Sequence, residues 1–129
     1  MKPVILVADD DDDILLLVHD VLESLGCSVL TATDGAKALE LASGTALALA
    51  VLDVRMPRAD GLTVARALRA EPATRSVPIL VLSAGVGEHQ EQNALDAGAD
   101  AFLSKPFELD QLRDTVRRLL VPSPSAGPA

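Results

Sequence analysis

Short apolar runs alternate with segments of helical periodicity along this chain, and the alternation occurs five times. The runs occupy residues 4–8, 28–33, 48–54, 77–83 and 101–104, and the third is apolar on both faces. Such runs predict buried strands, as in parallel sheets. The segments near residues 14–25, 35–44, 62–71, 88–97 and 109–120 predict helices. Together they predict an α/β fold, a doubly wound five-stranded parallel sheet flanked by five helices and joined by right-handed crossovers.

Length and composition indicate one domain with a hydrophobic core. The chain has 129 residues, and 49% of them are apolar although it contains two Phe, no Trp and no Tyr. The core must therefore be built from Leu, Val, Ile and Ala, and the length suits a single domain. We expect this domain at residues 1–121, followed at 122–129 by a flexible Pro/Ser/Ala-rich tail or linker.

Charge and cysteine content limit the expected partners and the compartment. The net charge of −8 argues against nonspecific nucleic-acid binding by this domain and suits cations and basic partner surfaces. The single cysteine, Cys27, permits no internal disulfide and favours a reducing compartment. No stretch has the length of a membrane span and no signal-peptide layout is present, so we expect a cytoplasmic protein without a membrane partner.

Five consecutive aspartates, at residues 9–13, follow directly on the first apolar run. Adjacent carboxylates raise one another's pKa, and a bound cation would relieve that repulsion. Residues 11–13 suit capping and the first turn of the helix that follows, where Asp complements the helix dipole. Asp9 and Asp10 lie too close to the strand for that role. We therefore interpret them as half of a site for a hard cation such as Mg2+.

The remaining strands end in residues of complementary chemistry. Asp53 ends the third strand, Ser83 ends the fourth, and Lys105 follows the fifth. Ligands of open α/β sheets bind outside the carboxyl ends of the strands, so these side chains should converge with the acids of the first strand. A carboxylate can attack phosphorus, and phosphoryl transfer needs neutralised oxygens, which lysine, a hydroxyl and Mg2+ provide. The alternatives are a turn role for Asp53, a structural role for Ser83 and a surface position for Lys105.

The same residues resemble the response-regulator receiver domain of bacterial two-component signalling. The similarity spans about residues 3–121, and the stretches that carry it are 5–11, 52–57 with 60–61, 78–84, 97–101 and 105–107. The resemblance implies a flavodoxin-like sheet in the strand order 2-1-3-4-5. It implies that Asp53 accepts a phosphoryl group from a sensor histidine kinase or phosphotransfer protein. Such a domain is no enzyme in the usual sense, because it is a phosphoacceptor that assists its own phosphorylation and dephosphorylation.

The resemblance also implies roles for the other site residues. Asp9, Asp10, Asp53 and the backbone carbonyl of Arg55 would hold Mg2+, while Lys105 and Ser83 would bind phosphoryl oxygens. The peptide bond between Lys105 and Pro106 would be cis and would aim the lysine. Ser83 and Phe102 would act as the switch. Ser83 would move toward the phosphoryl group, and Phe102 would turn into the space that it leaves. The face of the fourth helix, fifth strand and fifth helix would then change its affinity for an output domain or protein.

Two alternative functions remain open for this chain. The chain could be a degenerate receiver that acts only as a docking module, or a small Mg2+-dependent phosphatase with an Asp nucleophile. The phosphatase reading lacks a general acid at residues 54–55 and an insertion long enough to form a cap. Arg55 and Gly85 flank the expected path of hydrolytic water, so they bear on the lifetime of the phosphoryl group. The alternative to a switch role for Phe102 is that of a static core aromatic.

Overall fold

The computed structural model describes residues 2–84 and 89–120, which form one five-stranded sheet and five helices. The strands are β1 Val4–Ala8, β2 Ser28–Ala32, β3 Leu49–Asp53, β4 Ile79–Ser83 and β5 Ala101–Ser104. The helices are α1 Asp12–Ser24, α2 Gly35–Ser43, α3 Gly61–Ala70, α4 His89–Asp96 and α5 Leu109–Leu120. All strand pairs are parallel, in the order β2-β1-β3-β4-β5. The predicted fold class and strand order are confirmed.

Helices cover both faces of the sheet, and the alternation of side chains along the strands decides which helix each residue meets. In β1, Val7 packs in the cluster that contains Val18 of α1 and Leu112 of α5. Its neighbour Leu6 packs in the cluster that contains Val64 of α3. Helices α2, α3 and α4 therefore lie opposite α1 and α5. Every residue of β3 and β4 is buried, as expected for central strands of a parallel sheet.

Aspartates cap three of the helices, in the loops that follow β1, β2 and β3. The Asp11 carboxylate accepts hydrogen bonds from the backbone N–H groups that open α1, and Asp34 and Asp60 do the same for α2 and α3. Each satisfies N–H groups that would otherwise have no partner, a contribution of about 1 kcal/mol. The capping interpretation of residue 11 is confirmed, and residues 12 and 13 occupy the first turn.

The fourth strand begins two residues later than predicted, at Ile79. The prediction from Val77 was wrong because Pro78 has no N–H for the sheet. The backbone N–H of Val77 instead closes a turn on the Thr74 carbonyl oxygen at 3.1 Å, while the Pro78 carbonyl oxygen accepts from Ala50. Smaller differences concern the ends of β2 and β3. The predicted start of the fourth helix at residue 88 and the predicted tail at 122–129 lie outside the described residues.

A cluster centred on Arg69 lies at the amino end of β4 and β5, and we call it the Arg69 cluster. The Arg69 guanidinium donates a hydrogen bond of 2.8 Å to Asp100 Oδ2. The same oxygen accepts from the N–H of Ile79, also at 2.8 Å. The remaining bonds of the guanidinium go to backbone carbonyl oxygens, those of Val77 at 2.6 Å, Arg75 at 2.8 Å and Gly98 at 3.0 Å. These bonds fasten α3 to the segments that enter β4 and β5.

Candidate functional site

The predicted site residues lie together at the carboxyl edge of the sheet. Asp9 follows β1 directly, Asp53 and Ser83 are the last residues of β3 and β4, and Lys105 follows β5. The parallel register sets this arrangement, because it pairs Ala8 with Leu52, Asp53 with Leu82, and Ser83 with Ser104. Residues that are far apart in sequence therefore end at one level of the sheet.

Lys105 joins two of the acids. Its Nζ lies 2.8 Å from Asp9 Oδ2 and 2.9 Å from Asp53 Oδ1. Asp9 is fully buried, Asp53 nearly so, and 15% of the Lys105 side chain is exposed, so these bonds are largely shielded from water. The backbone N–H of Lys105 donates to the Ser83 carbonyl oxygen at 2.8 Å, and the peptide bond to Pro106 is cis.

A third carboxylate, that of Asp10, lies close to the two that Lys105 joins. Oxygen atoms of Asp9, Asp10 and Asp53 lie within 4.8 Å of one another, and Asp10 is the exposed member. Hard oxygen donors at this separation are the ligand type that Mg2+ takes, so the donor set fits that ion. A second acid-containing group, around His19 on α1, is half-buried or exposed at every member. Burial of two members distinguishes the group at the sheet edge.

The environment shifts the pKa values of both partners. Burial raises the pKa of Asp53, and the charges of Asp9 and Asp10 raise it further, although the hydrogen bond and charge of Lys105 oppose them. Burial alone would lower the Lys105 pKa, but its hydrogen bonds and charge interactions with Asp53 and Asp9 outweigh burial and raise it. Lys105 therefore stays cationic at neutral pH, and it compensates the negative charge of the site only in part.

Ser83 contacts helix α4 through its side chain. Its buried hydroxyl donates to Oε1 of Gln90, in the first turn of α4, at 3.2 Å. Gln90 was missed by the sequence reasoning, which assigned no role to any residue of this polar helix. A glutamine at the start of a helix carries no signal that it will face the end of the preceding strand.

Gly61 is a second residue whose importance the sequence reasoning missed. A Cβ atom at this position would collide with the backbone carbonyl oxygen of Asp53. The N–H of Gly61 also donates to the Val54 carbonyl oxygen at 2.9 Å. The start of α3 therefore packs directly against the residue that ends β3. The sequence indicated Asp60-Gly61 as a loop signal and as one of the stretches that carry the resemblance, but a glycine at a helix start also permits close backbone approach.

The remaining predicted residues lie around this centre. Arg55 is exposed in the loop between β3 and α3. Phe102 is half-buried, pairs in register with Val81 and packs against the cluster on the α2, α3 and α4 side of the sheet. Gly85 lies outside the described residues. Among the described helices, none has the length and apolar content needed to cross a membrane.

Comparison with known proteins finds the family that the sequence resembles. The sequence model of the response regulator receiver domain matches residues 5–117. The response regulator MprA of Mycobacterium sp. (strain KMS) is 46% identical over 104 residues, which are 80% of this chain and 44% of that protein. The DNA-binding dual master transcriptional regulator RpaA of Synechocystis is 40% identical over 119 residues, 92% of this chain and 49% of that protein. The chain thus spans less than half the length of these two relatives.

Solved structures show the same fold. The chemotaxis response regulator CheY4 of Vibrio cholerae superimposes with a TM-score of 0.87 at 31% identity, covering 93% of this chain and 100% of that one. The receiver domain of a sensor histidine kinase from Pseudomonas aeruginosa superimposes with a TM-score of 0.85 at 30% identity, covering 93% and 98%. That structure has a magnesium ion coordinated in its active site cleft.

Proposed function

Because the chain belongs to the response regulator receiver domain family, we propose that it is a phosphoacceptor of two-component signalling and that Asp53 carries the phosphoryl group. One observation carries this proposal: the ammonium group of Lys105 lies 2.9 Å from Asp53 and 2.8 Å from Asp9. A buried carboxylate that is held rigidly at a strand end, beside a fixed cation, suits attack on phosphorus.

The proposed reaction transfers the group from a phosphohistidine of a sensor histidine kinase or phosphotransfer protein. One oxygen of the Asp53 carboxylate forms a bond to phosphorus while the bond from phosphorus to the imidazole nitrogen breaks. The electron pair of that bond stays on the imidazole, which takes up a proton. Lys105 neutralises charge on the phosphoryl oxygens, and the Ser83 hydroxyl donates a hydrogen bond to one of them. The result is an acyl phosphate rather than a released product.

Asp9, Asp10 and Asp53, with the backbone carbonyl of Arg55, would hold Mg2+. When bound, Mg2+ supplies positive charge that offsets the repulsion between the carboxylates and the incoming phosphoryl group. Burial is the main cause of the raised pKa of Asp53, and the charges of Asp9 and Asp10 raise it further although Lys105 opposes them. The repulsion from these two acids supports the assignment, because a bound cation would relieve it. Arg55 itself is exposed, so its side chain can extend over the site without disturbing the core.

Phosphorylation would change the surface formed by α4, β5 and α5. Ser83 would turn toward the phosphoryl group, and the half-buried Phe102 would turn inward, since it already packs against the core on the α4 side. The phosphoryl group can shift this equilibrium only by binding the two conformations differently. We propose that the changed surface is read by a downstream output domain or protein, in the cytoplasm and without direct nucleic-acid binding by this domain.

The proposal is tested by incubating the protein with Mg2+ and acetyl phosphate and measuring intact mass. We expect one phosphoryl adduct on the wild-type protein and none on Asp53→Asn, while Asp114→Asn, a change of an exposed aspartate on α5, keeps the adduct. Rapid turnover of assorted phosphate esters would instead indicate the phosphatase. No adduct with acetyl phosphate or beryllofluoride would indicate the docking module and overturn the proposal.

A further inference from the structure

We propose that Gln90 is a positioning residue that holds the Ser83 hydroxyl in the unphosphorylated chain, so that phosphorylation must break the Ser83–Gln90 hydrogen bond. This inference rests on the proposed function, because it concerns what Ser83 must give up to bind a phosphoryl oxygen. Gln90, which belongs to helix α4 and not to the sheet edge, would compete with the phosphoryl group for the Ser83 hydroxyl.

The chemistry of the hydroxyl makes the two partners exclusive. A serine side chain has one O–H donor, and in this structure that donor is directed at Gln90 Oε1, 3.2 Å away. Phosphoryl oxygens only accept hydrogen bonds, so they compete with Gln90 for the same proton. Ser83 cannot donate to both with good geometry.

The distance decides which partner prevails. Hydrogen bonds from a hydroxyl to an oxygen usually span about 2.5–3.0 Å, so the bond to Gln90 is long and weak. A bond to a charged phosphoryl oxygen is roughly twice as strong as one between neutral groups. Gln90 is half-buried, so water can replace Ser83 at its amide. Transfer of the Ser83 hydrogen bond from Gln90 to a phosphoryl oxygen should therefore be favourable. Gln90 lowers the affinity of the site for a phosphoryl group but does not prevent binding.

The same bond also ties α4 to the sheet. Ala94 is the buried residue of this helix, and an alanine side chain supplies little apolar area. The Ser83–Gln90 bond, although long, is a polar contact between the first turn of α4 and the end of β4. When Ser83 turns to the phosphoryl group, the first turn of α4 loses this contact. This links occupancy of the site to the position of α4.

The test measures beryllofluoride affinity in the presence of Mg2+ by fluorine NMR, because the chain has no Trp or Tyr for intrinsic fluorescence. Gln90→Met keeps the length and helix propensity of the side chain but removes the amide. We expect Gln90→Met to bind beryllofluoride about two- to fivefold more tightly, the lower part of the range for one net hydrogen bond. Gln92→Met is the matched control, since Gln92 pairs with Asp96 on the exposed side of α4.

A double-mutant cycle separates positioning from a general effect on the helix. In a Ser83→Ala background, Gln90→Met should leave the affinity unchanged, because no hydroxyl remains to be released. Equal affinities for wild type and Gln90→Met, or the same gain with and without Ser83, would overturn the inference while the proposed function stands. If the wild-type protein forms no adduct, the proposed function fails and this inference fails with it.

Discussion

The two ends of the central sheet each hold a cation beside carboxylates, but their charges are balanced differently. At the amino end, Arg69 faces one carboxylate, that of Asp100, and its other bonds go to neutral carbonyl oxygens. At the carboxyl end, Lys105 faces Asp9 and Asp53 with Asp10 nearby. One cluster is balanced within the chain, and the other is left with excess negative charge.

Both clusters are complete in hydrogen bonding, so the difference concerns charge alone. Among the described residues, no buried side-chain nitrogen or oxygen atom is without a hydrogen-bond partner. At the carboxyl end, burial raises the pKa of Asp53, and repulsion from Asp9 and Asp10 raises it further although Lys105 opposes them. We infer that the Arg69 cluster stabilises the fold, whereas the acid cluster gives up stability in order to bind positive charge and a phosphoryl group. The two ends should therefore respond oppositely to substitution.

The largest expected effect is at the amino end of the sheet, in the Arg69 cluster. Arg69→Met should lower the free energy of unfolding by about 2 kcal/mol, because it leaves partly buried carbonyl oxygens without their donor, whereas the exposed Asp100 can be solvated. Chemical denaturation measures the change. Arg66→Met, on an exposed position of the same helix, is the control and should change stability by less than about 0.5 kcal/mol. A similarly small effect of Arg69→Met would show that the cluster is not a stabilising element.

Mg2+ should act on the other end only. At ten times its dissociation constant, Mg2+ should raise the free energy of unfolding of the wild-type protein by about 1.4 kcal/mol through preferential binding to the folded state. Asp10→Asn should lose most of this gain, because it removes a carboxylate ligand at an exposed position where folding is little affected. Thermal unfolding with and without the ion measures the effect.

The control for the Mg2+ experiment is Asp12→Asn, which changes an exposed acid in the first turn of α1. It should keep the full Mg2+ response, although removal of a favourable charge near the helix start lowers its basal stability slightly. An equal loss of response in both variants would mean that Mg2+ screens the acidic run in general, and the distinction between the two ends would weaken.

The sequence predicted the two ends of the sheet unequally, for a physical reason. Strand ends are visible as the place where an apolar run stops, so Asp53, Ser83 and Lys105 could be assigned to one edge. The Arg69 cluster could not be predicted, since most partners of Arg69 are backbone carbonyls and any polar position on α3 could have held an arginine. Gln90 escaped notice for a related reason, because its partner becomes visible only when α4 is placed against β4.

The smallest effect concerns Asp53 itself, and its sign is opposite to that of Arg69. Because the folded state raises the pKa of Asp53, this group binds protons more tightly in the folded than in the unfolded chain. Its contribution to stability is therefore lost as the pH rises from the unfolded pKa, ordinarily 3.8, through the raised folded value. The side chain of Asp53→Asn does not ionise, so the variant loses no stability as the pH rises. Without Mg2+ it should therefore be more stable than wild type at neutral pH, by about 1 kcal/mol.

The difference between Asp53→Asn and wild type should shrink as the pH falls from neutral through the raised folded pKa of Asp53, because wild-type Asp53 then gains its proton in the folded state. Denaturation curves at several pH values measure it. The chain carries a net charge of −8, so removal of any acid could relieve general repulsion. Glu71→Gln, at an exposed position, controls for that relief. If both variants gain equally at neutral pH, the gain comes from relief of repulsion across the whole chain, and the acid cluster gives up no stability of its own.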